Sequence, residues 1–325
     1  MSFPPFHRPG TIVFLDDDPD YLEMLAMSLP RHWYVKLFVD PVACINYLQQ
    51  EPPFWEADAW NQQQLIEDWR AGKALIPQLL GYWSRYTERY ALTRVCVVDY
   101  SMPAMDGLQA LGELVDWPGS RVLLTGQADD QVAVRAFNRG LIDQFIAKQE
   151  PDISGRLIDA VEQLLRTPNA RHAQTWRVTL SPEQNTLLRI PSVGRDLAGL
   201  ASRRWVEHVV IGDPFGVLGM DATGNVSWLQ LEPSDALAGL AELAELEGVS
   251  RAGLDDIRAG RKLADLELRQ ALGRTDAPEL TSAFPIGQDA GLLGALFLVP
   301  PAYCPDPANS YQHWLARQEK RSVQG

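Results

Sequence analysis

Cysteine is scarce: Cys44, Cys96 and Cys304 are the only three in 325 residues, they lie far apart, and no CxxC occurs. This excludes a disulfide framework and a zinc knuckle and suits a reducing compartment. Positive charge is scarce too, with 29 Lys and Arg against 42 Asp and Glu, a formal net charge of -13. Diffuse attraction to phosphate backbones or anionic lipid is therefore disfavoured, and any nucleic-acid contact would need a local basic patch. Long apolar runs are missing: the longest, Gly291 to Val299, is about half of what spans a bilayer. The stretch Met1 to Gly10 carries three prolines and no apolar core, so no export signal is read there. The chain is expected to be soluble and cytoplasmic, without a membrane partner.

What is present is a globular composition, 46% hydrophobic and 22% charged, in a chain too long for one ordinary core. Two domains are expected. The β-rich run Thr11 to Leu15 stops at Asp16, Asp17 and Asp18, and Pro19 and Asp20 then open a helical pattern. Tyr34 to Val39 reads as a second strand, followed by an Asp40-Pro41 helix start. Arg94 to Val98 is a third strand ending at Asp99, Arg121 to Leu124 a fourth ending at Thr125, and Gln144 to Ala147 a fifth ending at Lys148. Helical patterns separate them, which predicts an α/β, doubly wound, five-stranded parallel sheet. Ligands on such sheets bind beyond the carboxyl ends of the strands. Asp16, Asp17, Asp99, Thr125 and Lys148 all fall at those ends.

Residues 51 to 93 do not fit a five-unit α/β domain. Their spacing of Ile66, Trp69, Ile76, Leu80, Trp83 and Tyr90, interrupted at Gly72 and Pro77, predicts an insertion of two amphipathic helices. Its tryptophans either cover a face of their own domain or form a partner or homodimer surface. The polar stretch Thr167 to Gln174 reads as an interdomain linker. The expected division is thus a first domain over 9–168, with the insertion, and a second over 175–325. In the second, strand-like Val209 to Leu218 and Val226 to Leu231 flank a turn at Ala222 to Asn225, helical patterns cover Ser234 to Glu247 and Asp255 to Leu272, and Gly291 to Val299 returns to strand, an α+β pattern.

Three carboxylates gathered at one sheet edge need compensation, since each like-charge pair costs about 4 kcal/mol at 4 Å and an effective dielectric near 20. A divalent cation supplies it, and Mg²⁺ suits hard oxygen ligands and keeps several waters. A carboxylate beside Mg²⁺ and a lysine can attack phosphorus to form an aspartyl phosphate. A lone Asp after a strand is otherwise an N-cap, the role expected of Asp18 or Asp20.

Four motifs stand in order at these strand ends: Leu15-Asp16-Asp17-Asp18-Pro19, Val97-Val98-Asp99-Tyr100-Ser101-Met102-Pro103 with Asp106-Gly107, Leu123-Leu124-Thr125-Gly126, and Phe145-Ile146-Ala147-Lys148. Together they resemble the receiver domain of two-component response regulators, over about residues 9 to 166. The resemblance implies a flavodoxin-like fold and phosphorylation of Asp99 by a sensor histidine kinase or histidine phosphotransferase. It implies Mg²⁺ bound directly by Asp17, Asp99 and the Ser101 carbonyl, with Asp16 acting mainly through water. Thr125 matches the family's switch hydroxyl, Lys148 its phosphate-sensing lysine and Phe145 its rotating aromatic. Gln149 stands where the family usually carries proline after the lysine.

The second half has no catalytic output signature, neither a GGDEF-type run nor an HD and GYP pair, so no enzymatic activity is expected. Val210 to Gly219 is glycine-rich but lacks the order of a phosphate loop or dinucleotide fingerprint. Leu243 to Lys262 resembles the helix-turn-helix of phage-repressor-type DNA-binding proteins, yet Asp255 and Asp256 would face phosphates there. Output through a protein effector is expected, with phosphorylation-controlled transcription through DNA as the alternative.

Overall fold

The computed structural model describes residues 3–103, 105–126, 130–167, 170–288, 290–318 and 323–324. The chain forms two compact units that interleave along the sequence: one comprises 9–60, 88–169 and 314–325, the other 1–8, 61–87 and 170–313.

The first unit holds the parallel sheet. Strand β1 (Phe6–His7) belongs to the other unit, whereas β2 (Thr11–Leu15), β3 (Tyr34–Phe38), β4 (Thr93–Asp99), β5 (Ser120–Thr125) and β6 (Gln144–Ala147) lie in the order β3-β2-β4-β5-β6, all parallel. A short sixth strand from the far end of the chain, Val323–Gln324, adds in parallel beside Leu37 and Phe38. Alternation along the strands builds two cores. Val13, Leu15, Cys96, Val98 and Leu123 face one way, under the helices Pro41–Gln49 and Gly107–Gly112. Ile12, Phe14, Val95, Val97, Val122 and Leu124 face the other, under Pro19–Ser28 and Ile153–Arg166. This is the doubly wound, flavodoxin-like arrangement that the pattern predicts.

The second unit is built on a six-stranded sheet ordered β1-β7-β8-β9-β13-β12, with β7 (Glu207–Gly212), β8 (Phe215–Met220), β9 (Val226–Pro233), β12 (Phe284–Ile286) and β13 (Leu292–Leu298), antiparallel throughout. A second, two-stranded antiparallel sheet pairs β10 (Lys262–Ala264) with β11 (Leu280–Ser282).

Several boundaries differ from the linear reading. The insertion does form two helices, Pro52–Arg70 and Leu75–Arg85, broken at Gly72 with φ 97°. Its residues 61–87, however, belong to the antiparallel-sheet unit. There Gln62 accepts from the buried Trp176 indole at 2.8 Å, and Ser84 O accepts from Asn309 at 2.7 Å. The linker expected over 167–174 is helical from Ala170, as Ala170–Arg177, because Trp176 is wholly buried; residues 168 and 169 lie outside the described ones. Val209 to Leu218 is two strands, since Asp213-Pro214 turns the chain between Gly212 and Phe215. Asp255 to Leu272 is not one helix: Gly260, at φ 66°, ends Arg251–Arg258, and β10 precedes Leu266–Ala271. A left-handed residue stops a helix whatever periodicity follows it.

Of the tryptophans in the insertion, Trp55 and Trp83 are buried and Trp60 is exposed. Within the parallel-sheet unit the start of the first helix is anchored by Glu51, a buried carboxylate that accepts from the Thr93 amide, the Thr93 hydroxyl at 2.5 Å and the Trp117 indole at 3.0 Å. Burial pushes its carboxyl up, against those bonds.

Candidate functional site

In-register parallel pairing brings the strand ends to one edge. Leu15 sits opposite Val98, Asp99 opposite Leu124, and Thr125 opposite Ala147, so Asp16, Asp99, Thr125 and Lys148 emerge side by side. The Lys148 amide closes onto Thr125 O at 2.8 Å, and the Asp16 amide onto Phe38 O at 3.1 Å. Asp18 leaves the cluster to cap the helix Pro19–Ser28, accepting from the Asp20 and Tyr21 amides. Gly107 starts the next helix so close to Asp99 that a Cβ would lie 2.3 Å from its carbonyl oxygen; only glycine fits there.

One oxygen each from Asp16, Asp17 and Asp99 lies within 4.8 Å of the others. Asp16 and Asp99 are buried, and Asp17 is exposed at the mouth. The Lys148 ammonium lies 2.7 Å from Asp16 Oδ2 and 2.9 Å from Asp99 Oδ1. Burial nevertheless pushes the Asp16 carboxyl above its ordinary value, against the bonds from Lys148 and the Asp18 amide. The Lys148 ammonium is held above its own by Asp16 and Asp99, against its burial. Three carboxylates against one ammonium leave an excess of negative oxygen, the donor set a hard divalent cation takes. Asp16, Asp17 and Asp99 fit Mg²⁺ on this test, with the Ser101 carbonyl on the exposed turn just beyond β4.

The Thr125 side chain is wholly buried, and its hydroxyl has no hydrogen-bond partner among the described residues. A buried hydroxyl left unpaired costs about 1–3 kcal/mol. Phe145 is half-buried against the core beneath β5. Tyr21, which the strand-end pattern does not single out, places its ring 4.7 Å from the Lys148 ammonium, a cation–π contact. Its place in the first turn after the acidic loop is the one sequence signal for it.

The segment that resembles a helix-turn-helix forms two short helices, Leu237–Leu246 and Arg251–Arg258. Of its cations, Arg258 pairs with Glu245 and Asp255, and Arg261 and Lys262 pair with Asp256.

The parallel-sheet unit thus has the fold of a response-regulator receiver, with Asp16, Asp17, Asp99, Thr125 and Lys148 gathered at its sheet edge. Over its full length the chain is similar to the Legionella pneumophila response regulator LqsR, with a TM-score of 0.72 and 22% identity, covering 98% of each chain. Shorter likenesses include a response-regulator receiver domain from Clostridium thermocellum (TM-score 0.31, 16% identity, 48% of this chain and 94% of that one) and a CheY-like receiver domain from Methanospirillum hungatei (TM-score 0.30, 16% identity, 48% and 94%). No family model and no curated protein matches the chain in sequence. Among the described residues no helix is long and apolar enough to cross a membrane.

Proposed function

We propose that this chain is a two-component response regulator whose Asp99 accepts a phosphoryl group from a histidine kinase or histidine phosphotransferase. The observation that carries this reading is the Lys148 ammonium bonded to Asp16 and Asp99 at once, beside a buried Thr125 hydroxyl that nothing satisfies. An Asp99 carboxylate oxygen bonds to phosphorus as the P–N bond of the donor phosphohistidine breaks; the imidazole leaves with the bonding pair and is neutralised by a proton. Lys148 then pairs with one phosphoryl oxygen, and Thr125 donates to another. Mg²⁺, held by Asp17, Asp99 and the Ser101 carbonyl with Asp16 through water, would compensate charge on the transferring group.

Drawing the Thr125 hydroxyl toward the phosphoryl group opens space for Phe145 and biases a pre-existing two-state equilibrium of the helix Asp130–Asn138 and β6. The output is a changed contact with a protein effector, without catalysis by the second unit. The DNA-binding alternative is weakened by the engaged Arg258, Arg261 and Lys262 and by the net charge of -13. The test is incubation with a small phosphodonor and Mg²⁺, then mapping of the hydroxylamine-labile adduct. Labelling should fall on Asp99 and vanish in Asp99→Ala; undiminished labelling of that variant overturns the assignment.

A further inference from the structure

A groove in the antiparallel-sheet unit lies between the helix Pro191–Arg204 and the edge strand β12 and has a volume of about 380 Å³. Its rim carries Arg195 and Arg203, two turns apart on the helix, with Gly199 midway. Side chains on a helix lean toward its N-terminus. Arg203 accordingly folds back over Gly199, its Nη1 3.4 Å from where a Cβ there would stand.

Neither arginine has an ion-pair partner among the described residues, although the chain has an excess of acids and Arg156, Arg166, Arg258, Arg261 and Arg274 all find one. Asp196 also lines the groove, and its Oδ2 accepts from the Gly287 amide at 2.8 Å. The floor is apolar, from buried Leu200 and Ile286 and half-buried Phe284. Pro285, in the middle of β12, offers no amide hydrogen, so this edge is poorly suited to recruiting a further strand.

We infer that this groove binds a small amphipathic anion, its carboxylate or phosphate clasped by Arg195 and Arg203 and its apolar body laid on Leu200, Phe284 and Ile286. Guanidinium groups bind such oxyanions through paired N–H donors, and an apolar floor with a few convergent polar groups is what small-ligand sites have in common. The inference does not depend on phosphorylation of Asp99.

The test is calorimetric titration of the full-length chain with decanoate and with decyl phosphate, which separate the two headgroups, against decanol and acetate as controls. Saturable binding of either long-chain anion, and of neither control, is expected. The double variant Arg195→Gln/Arg203→Gln should weaken it by about tenfold or more, on the scale of one to two charged hydrogen bonds. Gly199→Leu, which keeps both arginines and fills the groove, should abolish it. Both arginines are exposed, so matching thermal melts will show the double variant folded. Decanol binding as tightly as decanoate, no binding of either anion, or unchanged affinity in the double variant would overturn the proposal.

Discussion

Each unit of this protein gathers carboxylates in one place, and the two places solve the same electrostatic problem differently. At the parallel-sheet edge Asp16 and Asp99 share the Lys148 ammonium at 2.7 and 2.9 Å. In the antiparallel-sheet unit a cavity of about 320 Å³ is lined by Glu183, Asp213, Glu232 and Glu267, and no lysine or arginine lines it. Partial burial, with the like charges of Glu232 and Asp213, pushes the Glu267 carboxyl up to about 7. Where a cation is built in, the Lys148 ammonium bonds both buried carboxylates and offsets part of their burial. Where none is, a proton takes its place, and the cluster responds to pH.

Removing the built-in cation should have the largest effect. Lys148→Met leaves Asp16 and Asp99 facing each other without compensation, and loss of one partner from such a network costs about 3–5 kcal/mol. Urea unfolding followed in the parallel-sheet unit should show that loss, and Mg²⁺ should recover part of it. A wild-type midpoint would mean that Lys148 does not compensate these carboxylates.

Thr125→Val should produce a smaller and opposite effect. It removes a buried hydroxyl that has no partner, so basal stability should hold or rise by up to about 1 kcal/mol. The extra stability that beryllofluoride and Mg²⁺ confer on the wild type should shrink in the variant. A clear basal loss would show that the hydroxyl is satisfied in the resting protein.

The other cluster is sharpened by pH. Between the ordinary glutamate range and about pH 7 the folded chain keeps a proton on Glu267 that the unfolded chain has released. Its contribution to stability is therefore present at acidic pH and lost as pH rises through about 7. Glu267→Gln should flatten that part of the profile between pH 5.5 and 8.5 and raise stability at the alkaline end; equal profiles for the two proteins would break the comparison. The smallest effect is expected from Arg258→Ala. Its ion pairs are exposed and of 3.8–4.0 Å, so stability should change by less than about 1 kcal/mol, and no salt-sensitive DNA binding should be present to lose.

That Asp16, Asp99, Thr125 and Lys148 would meet at one edge was legible in the sequence, because a parallel strand that ends in Asp, Thr or Lys places that side chain at the ligand edge whatever lies between. The cap at Asp18 and the close turn at Asp106-Gly107 are local and were readable for the same reason. Tyr21 and Glu51 were not, since a ring beneath an ammonium and a carboxylate among indoles are relations between distant residues. In the second unit β10, β11 and β12 are three residues each, too short to show a period.

By itself the sequence determined the alternation of strands and helices, the two-sided core of the parallel sheet and the residues at its carboxyl edge, because these follow from periodicity and chain order. Only the tertiary structure decided that Gln62 meets Trp176, that residues 61–87 join the antiparallel-sheet unit, and that Val323–Gln324 returns to extend the parallel sheet. An apolar face announces that it will be buried, but the hydrophobic effect is non-directional, and the face does not name the surface that will bury it.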